Sequence, residues 1–211
     1  MLQYLEHYRP TPLESFVVGL YRKHGIRSPQ DIDLEMWAYE AGIWIHYADD
    51  PTTHYEVDDK MYSIVVDKSV PWEQQRVELA HELGHCLLHA GNQLTMNMDF
   101  RALQEWQANR FAAYVLAPTF MIANCWVDTS SRQRMVSQLA YHFDVPESFM
   151  DERLKLLENR LRTLAAERQL ASVIAEQRKT YDYSFRNLFN PAIEYLVKDG
   201  RIIGQRRRAV L

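Results

Sequence analysis

Leu79-Ala80-His81-Glu82-Leu83-Gly84-His85-Cys86 sets two histidines four residues apart, with a glutamate directly after the first. On a helix, four residues advance the chain by about 6 Å and return to the same face, so both imidazoles can reach one metal ion. Glu82 then lies close to a water held at that ion, which suits it to act as a general base beside two ligands. Random order of this composition would produce about 0.02 such patterns. The apolar flanks Leu79, Ala80, Leu83, Leu87 and Leu88 mark a buried helix, where histidines without partners are costly. The competing reading is a core helix whose histidines are satisfied by polar neighbours.

A catalytic zinc takes three protein ligands and leaves one position open. Glu105, on the following helix, is the expected third ligand; a solvated surface glutamate is the alternative. Asn109 comes four residues later on the same face, placed to hydrogen-bond a ligand histidine. His89 extends the row His81, His85, but about 12 Å along the axis separates it from His81. One ion does not bridge that span, so His89 reads as a helix-end or cleft residue. The metzincin pattern needs a third histidine six residues after His85, where Gly91 stands. Cys86 points off the ligand face and reads as core. Cys125 is isolated, and neither thiol has a base motif beside it.

Outside this segment the composition excludes several classes. Apolar residues at 47% and charged residues at 25% are those of a globular chain, not a disordered one. Apolar runs such as Phe16–Leu20 fall short of the roughly 18 residues of a membrane span, and no secretory signal is evident. Two cysteines cannot build a disulfide scaffold, so a reducing cytoplasm is expected. Residues 1–150 hold 20 acids and 11 bases, a net charge of -9, whereas residues 151–211 hold 8 acids and 13 bases, a net of +5. The basic end either faces the acidic front half and solvent or meets an acidic partner. The whole molecule is not basic, so the first is expected.

The pattern predicts a helix over 12–24, stopped by Gly25, and a second opened by Ser28-Pro29 and closed by Gly42. Ile43–Tyr47 and Met61–Val66 read as strands, with a loop or irregular hairpin over Asp49–Lys60. Pro71 opens the helix of the histidine pair, which runs to His89 and stops at Gly91. A helix over about Leu103–Leu116 follows, ended by Pro118. Residues 131–158 split at Asp144-Val145-Pro146 into two helical pieces of helix-turn-helix outline, a pairing that also occurs purely for packing. Leu154, Leu157, Leu161 and Leu164 carry a seam into a long helix ending near Lys179. Ile193–Val197 and Arg201–Ile203 flank Asp199-Gly200 as a hairpin.

From Gln75-Arg76 through His81-Glu82-Leu83-Gly84-His85-Cys86-Leu87-Leu88-His89, then Glu105-Trp106-Gln107-Ala108-Asn109-Arg110-Phe111-Ala112-Ala113 to Leu116-Ala117-Pro118, the chain resembles the ImmA/IrrE family of metallopeptidases. The resemblance covers about residues 35–157. It implies an α+β, zincin-like fold: a small antiparallel sheet against the active-site helix, then a helix-turn-helix-like helical subdomain around Leu139–Leu154, with a C-terminal extension that matches nothing. The expected division is a metallopeptidase domain over 1–130, the helical subdomain over 131–160, and a long helix with a basic extension over 161–211. By position the resemblance implies one Zn²⁺ per chain held by His81, His85 and Glu105, with Glu82 catalytic. Ala117 stands where the family often has Met, with no expected chemical consequence. Family members are cytoplasmic and cut helix-turn-helix repressors of phages, integrative elements or stress regulons, which derepresses genes.

Further expectations complete that picture. Tyr141 and His142 are candidate donors to the oxyanion, with structural burial as the alternative. The substrate is expected to lie extended along the Met61–Val66 strand, and the basic tail with Arg206-Arg207-Arg208 to dock or regulate it. Two other function classes remain: a repressor-binding antirepressor that does not cut, and a DNA-binding regulator with a structural zinc. Against the last, residues 131–157 hold only Arg132, Arg134, Arg153 and Lys155 as bases, and structural zinc sites usually lack an adjacent carboxylate base. Neither a membrane nor direct DNA contact is expected.

Overall fold

A computed structural model describes residues 8–58, 61–89 and 98–207. The chain divides into two compact units, residues 1–159 and 160–211. The class is α+β, with a small sheet in each unit.

The first unit begins with α1 (Pro12–His24), whose Thr11 cap accepts from the Glu14 N–H and whose end is set by Gly25 at φ 68°. The predicted second helix is broken. A single 3-10 turn, Pro29–Asp31, closes on itself because the Asp31 carboxylate accepts from the Ser28 side chain and backbone. The helix α2 (Leu34–Glu40) then starts afresh, capped by Asp33 on the Met36 N–H. Three strands follow, β1 (Trp44–Ala48), β2 (Thr53–Asp58) and β3 (Met61–Asp67), in the order β1-β3-β2.

This sheet is mixed, which corrects the expectation of an antiparallel one: β2 runs antiparallel to β3 but β1 runs parallel to it. Ile64 and Val66 are fully buried. The strand with most to bury takes the centre, where both of its edges are paired. Met61–Val66 therefore cannot offer an edge to a substrate. The polar stretch after Asp49 resolves as the hairpin alternative, and its strand β2 is an edge of the sheet. The predicted end of that stretch, Lys60, lies outside the described residues.

Helix α3 (Trp72–Leu88) carries the histidine pair and packs on β3, on β2 and most extensively on α4 (Met98–Leu116). The closeness of α3 and α4 depends on Gly84: a Cβ there would sit 3.1 Å from the Ala108 Cα and 3.1 Å from the Phe111 ring. Helix α3 ends at Leu88, with His89 already extended at φ -118° and ψ 147°; the expected stop, Gly91, lies outside the described residues. Helix α4 starts ahead of the predicted Leu103. A short helix that the pattern did not reveal, α5 (Thr119–Asn124), follows Pro118. The last two helices are α6 (Arg132–Phe143) and α7 (Glu147–Thr180), joined through Asp144 at φ 51°. Leu139, Phe143, Leu154 and Leu157 are buried, in keeping with their spacing, whereas the expected Phe149 is only half-buried and its neighbour Met150 takes the buried place.

In the second unit, β4 (Tyr183–Arg186), β5 (Ile193–Lys198) and β6 (Arg201–Arg207) form an antiparallel sheet in that order. The Asp199-Gly200 turn is present, with φ 48° and 72° at its two residues. Sequence reading found this hairpin but missed β4. Arg206 pairs with Glu194 at 2.8 Å, while Arg208 lies outside the described residues. Among the described residues no helix is long and apolar enough to cross a membrane.

Candidate metal centre

Buried apolar positions fix α3 against the sheet, and the remaining face of the helix carries His81, Glu82 and His85. Helix α4 brings Glu105 opposite them. The His81 and His85 Nε2 atoms lie 3.0 Å apart. Glu105 Oε2 is 3.3 Å from His81 Nε2, and Oε1 is 3.5 Å from His85 Nε2. One ligand atom from each of the three falls within 4.8 Å of the others.

The chemistry of this donor set fits a single divalent cation. All three groups present lone pairs to one point, and without a cation two of them would have to share a proton. His85 is 3% exposed, and burial, aided by the neighbouring His81, His54 and His89, pushes its pKa down to about 3. It therefore stays neutral with a lone pair available. Burial lowers the His89 pKa as well. The Cys86 thiol is pushed up to about 12 by burial and by Glu82, which leaves it unreactive.

Asn109 stands where its spacing placed it: its Oδ1 is 3.2 Å from His81 Nδ1, and its Nδ2 donates to the Glu105 carbonyl at 2.8 Å. His81, Glu82 and Asn109 line a cleft of about 460 Å³ together with Thr52, Glu78 and Phe149. A larger cavity of about 560 Å³ between Tyr21, Ile26 and Phe120 holds no comparable cluster; its one acid, Glu14, accepts from Tyr8 and Thr119. Size and chemistry disagree here, and the convergent donors carry more weight.

The structure does not bring Tyr141 and His142 to the cluster. Tyr141 is 85% exposed, and His142 packs its ring on Phe143 and offers its carbonyl to Gln30. Both sit on the solvent side of α6, whose apolar stripe turns inward. The residue that sequence reasoning missed is His54. Its Nδ1 donates to Glu82 Oε2 at 2.5 Å, and its ring stacks on His85 at 5.2 Å between centroids. Nothing local marks it, because its place follows from the pairing of His54 with Ile64 across β2 and β3.

Comparison with known proteins agrees with this geometry. The family model described as Peptidase_M78, IrrE N-terminal-like domain, matches residues 38–155. The Phage-like element PBSX protein XkdA of Bacillus subtilis (strain 168) is 36% identical over 178 residues, covering 84% of this chain and 86% of that protein. The Uncharacterized protein YqaB of the same strain is 27% identical over 155 residues, covering 73% of this chain and 88% of that one. With a histidine pair, a facing glutamate and a match that spans more than half of its length, the chain belongs to the M78 peptidase family of IrrE N-terminal-like domains.

Proposed function

We propose that the chain is a zinc-dependent endopeptidase of the cytoplasm that cuts a helix-turn-helix transcriptional repressor at one site and so derepresses genes. The observation that carries this reading is the convergence of His81, His85 and Glu105 beside Glu82. His81, His85 and Glu105 would hold one zinc ion, which when bound supplies Lewis acidity towards a water and the scissile carbonyl. Glu82 takes the proton of the attacking water and returns it to the leaving amine. His54 holds the Glu82 carboxylate in place by its 2.5 Å hydrogen bond and its ring belongs to the same wall of the site.

Among the described residues β2 is an edge strand, and pairing of a substrate backbone along such an edge gives affinity with little sequence preference. Specificity then comes from docking a whole folded partner. The name of one relative, XkdA, ties that protein to a phage-like element, which supports a repressor of phage or mobile-element origin. A DNA-binding role loses further support, because the few bases of residues 131–157 are already engaged. Arg153 is 1% exposed, and Arg132, Arg134 and Lys155 are each tied to acids.

Incubating the zinc-loaded chain with a helix-turn-helix repressor encoded beside its gene is the direct test. Two discrete fragments are expected from the wild type and none from Glu82→Gln. An intact repressor in a stable complex would turn the reading towards an antirepressor that does not cut, and a DNA shift by the chain alone would turn it towards a regulator.

A further inference from the structure

Beside the ligand cluster, His89 and Gln107 make contacts that neither ligation nor helix packing requires. Because His89 leaves the helix, its ring turns back to lie 5.2 Å from that of His85. The His89 Nδ1 is 3.2 Å from the His85 Nδ1, and the His89 Nε2 is 3.0 Å from the Gln107 Oε1. We propose that His89 and Gln107 are positioning residues, a two-step hydrogen-bond relay that locks His85 in the tautomer that binds metal through Nε2. This rests on the reading of His81, His85 and Glu105 as zinc ligands.

The proton positions follow one from another. A His85 that gives its Nε2 lone pair to a cation must carry its proton on Nδ1, and that N–H needs an acceptor. The His89 Nδ1 lies in reach at 3.2 Å, and it accepts only if it is bare. The His89 proton is then on Nε2, where it donates to the Gln107 amide oxygen. Gln107 lies on α4 two residues after Glu105, so one helix supplies both the facing ligand and the end of the relay. His81 is held in the same sense by Asn109, at 3.2 Å from its Nδ1. The two ligand histidines thus have separate supports, both anchored on α4.

Zinc affinity of the full chain, measured by competition with a chromophoric chelator, tests the relay without any substrate. Second-sphere partners of ligand histidines typically change metal affinity by about 10- to 100-fold. His89→Leu and Gln107→Leu are expected to weaken zinc, His89→Leu by that amount and Gln107→Leu by less. His89→Asn, which keeps an acceptor near the Nδ1 position, is expected to recover most of the loss. Nitrogen-15 spectra of the zinc-loaded wild type should show a proton on His85 Nδ1 and on His89 Nε2. A proton on His89 Nδ1, wild-type affinity in both Leu variants, or loss in His89→Leu equal to that of His85→Ala would overturn the relay. If instead the wild type binds no zinc, or His81→Ala keeps it, the metallopeptidase reading itself fails.

Discussion

The polar cluster around Arg153 and the one around His81, both among the described residues of the first unit, differ in what completes them. Around Arg153 the partners are complementary. Its Nε donates to the Ala113 and Ala117 carbonyls at 3.0 and 2.8 Å, and its Nη2 donates to Thr119 at 2.8 Å. The guanidinium thus serves the open carbonyls at the end of α4. Thr119 and Tyr8 in turn donate to Glu14, whose carboxylate is 3.9 Å from the Arg153 Nη2. Among the described residues the Arg153 Nη1 has no hydrogen-bond partner, but the guanidinium lies 5.1 Å from the Tyr114 ring centre. In the cluster of His81, His85 and Glu105, by contrast, each member can offer a lone pair, and these ligand atoms lie within 4.8 Å of one another. The first cluster is largely satisfied by groups of the chain itself; the second has a donor set that fits a cation. Burial of polar groups alone does not reveal a functional site. The sign and direction of the donors do.

Arg153→Ala should break the first cluster outright. Removal of one partner leaves the Glu14 carboxylate buried and unpaired, which costs about 3–5 kcal/mol, and urea unfolding of the metal-free protein should show that loss. His81→Ala sharpens the contrast. It should leave metal-free stability within about 1 kcal/mol, since the polar group lost is half-buried and lines a cleft. It should nevertheless cost zinc binding on the order of 3 kcal/mol, roughly a quarter of the total for a four-coordinate site. Full zinc in His81→Ala by metal analysis would end the ligand assignment.

Gly84→Ala probes the distance between the two halves of the second cluster. Overpacking against Ala108 and Phe111 should cost about 1–3 kcal/mol, and by separating α3 from α4 it should also weaken zinc. If thermal unfolding and zinc affinity both stay at wild-type values, the helix contact does not set the site. Asn109→Ala should be milder, about a 10-fold loss of zinc affinity, read in the same chelator competition. The smallest expected effect is that of ending the chain after Asn159. Every proposed ligand precedes that point, so zinc stoichiometry should be unchanged, and any difference in repressor cleavage between long and short chains would measure what the basic segment adds.

Much of the site was legible because its geometry is local. His81, Glu82 and His85 share one face of one helix by spacing alone, and Glu105 with Asn109 repeats that arithmetic on the next. Tyr141 and His142 were not legible in the same way: the expected alternative of burial does not hold, since both are exposed, because periodicity gives a helix its inner face without fixing which flanking residues fall outside it. The sheet failed in a similar way. Strand tendencies identified β1 and β3, yet pairing order depends on which strand buries both faces.

The amino-acid order by itself determined most of the elements and the candidate ligand row, since helix rise and turn residues act over a few positions. Only tertiary structure decided the mixed sheet, the edge role of β2, the approach of His54 to Glu82 and the turn of His89 back onto His85. Each of those depends on contacts between residues far apart in the chain, or on backbone leaving its helix under tertiary constraint. The Gly84 contact with Ala108 shows both levels at once. Its glycine is readable in the motif, but the reason for it exists only where two helices meet.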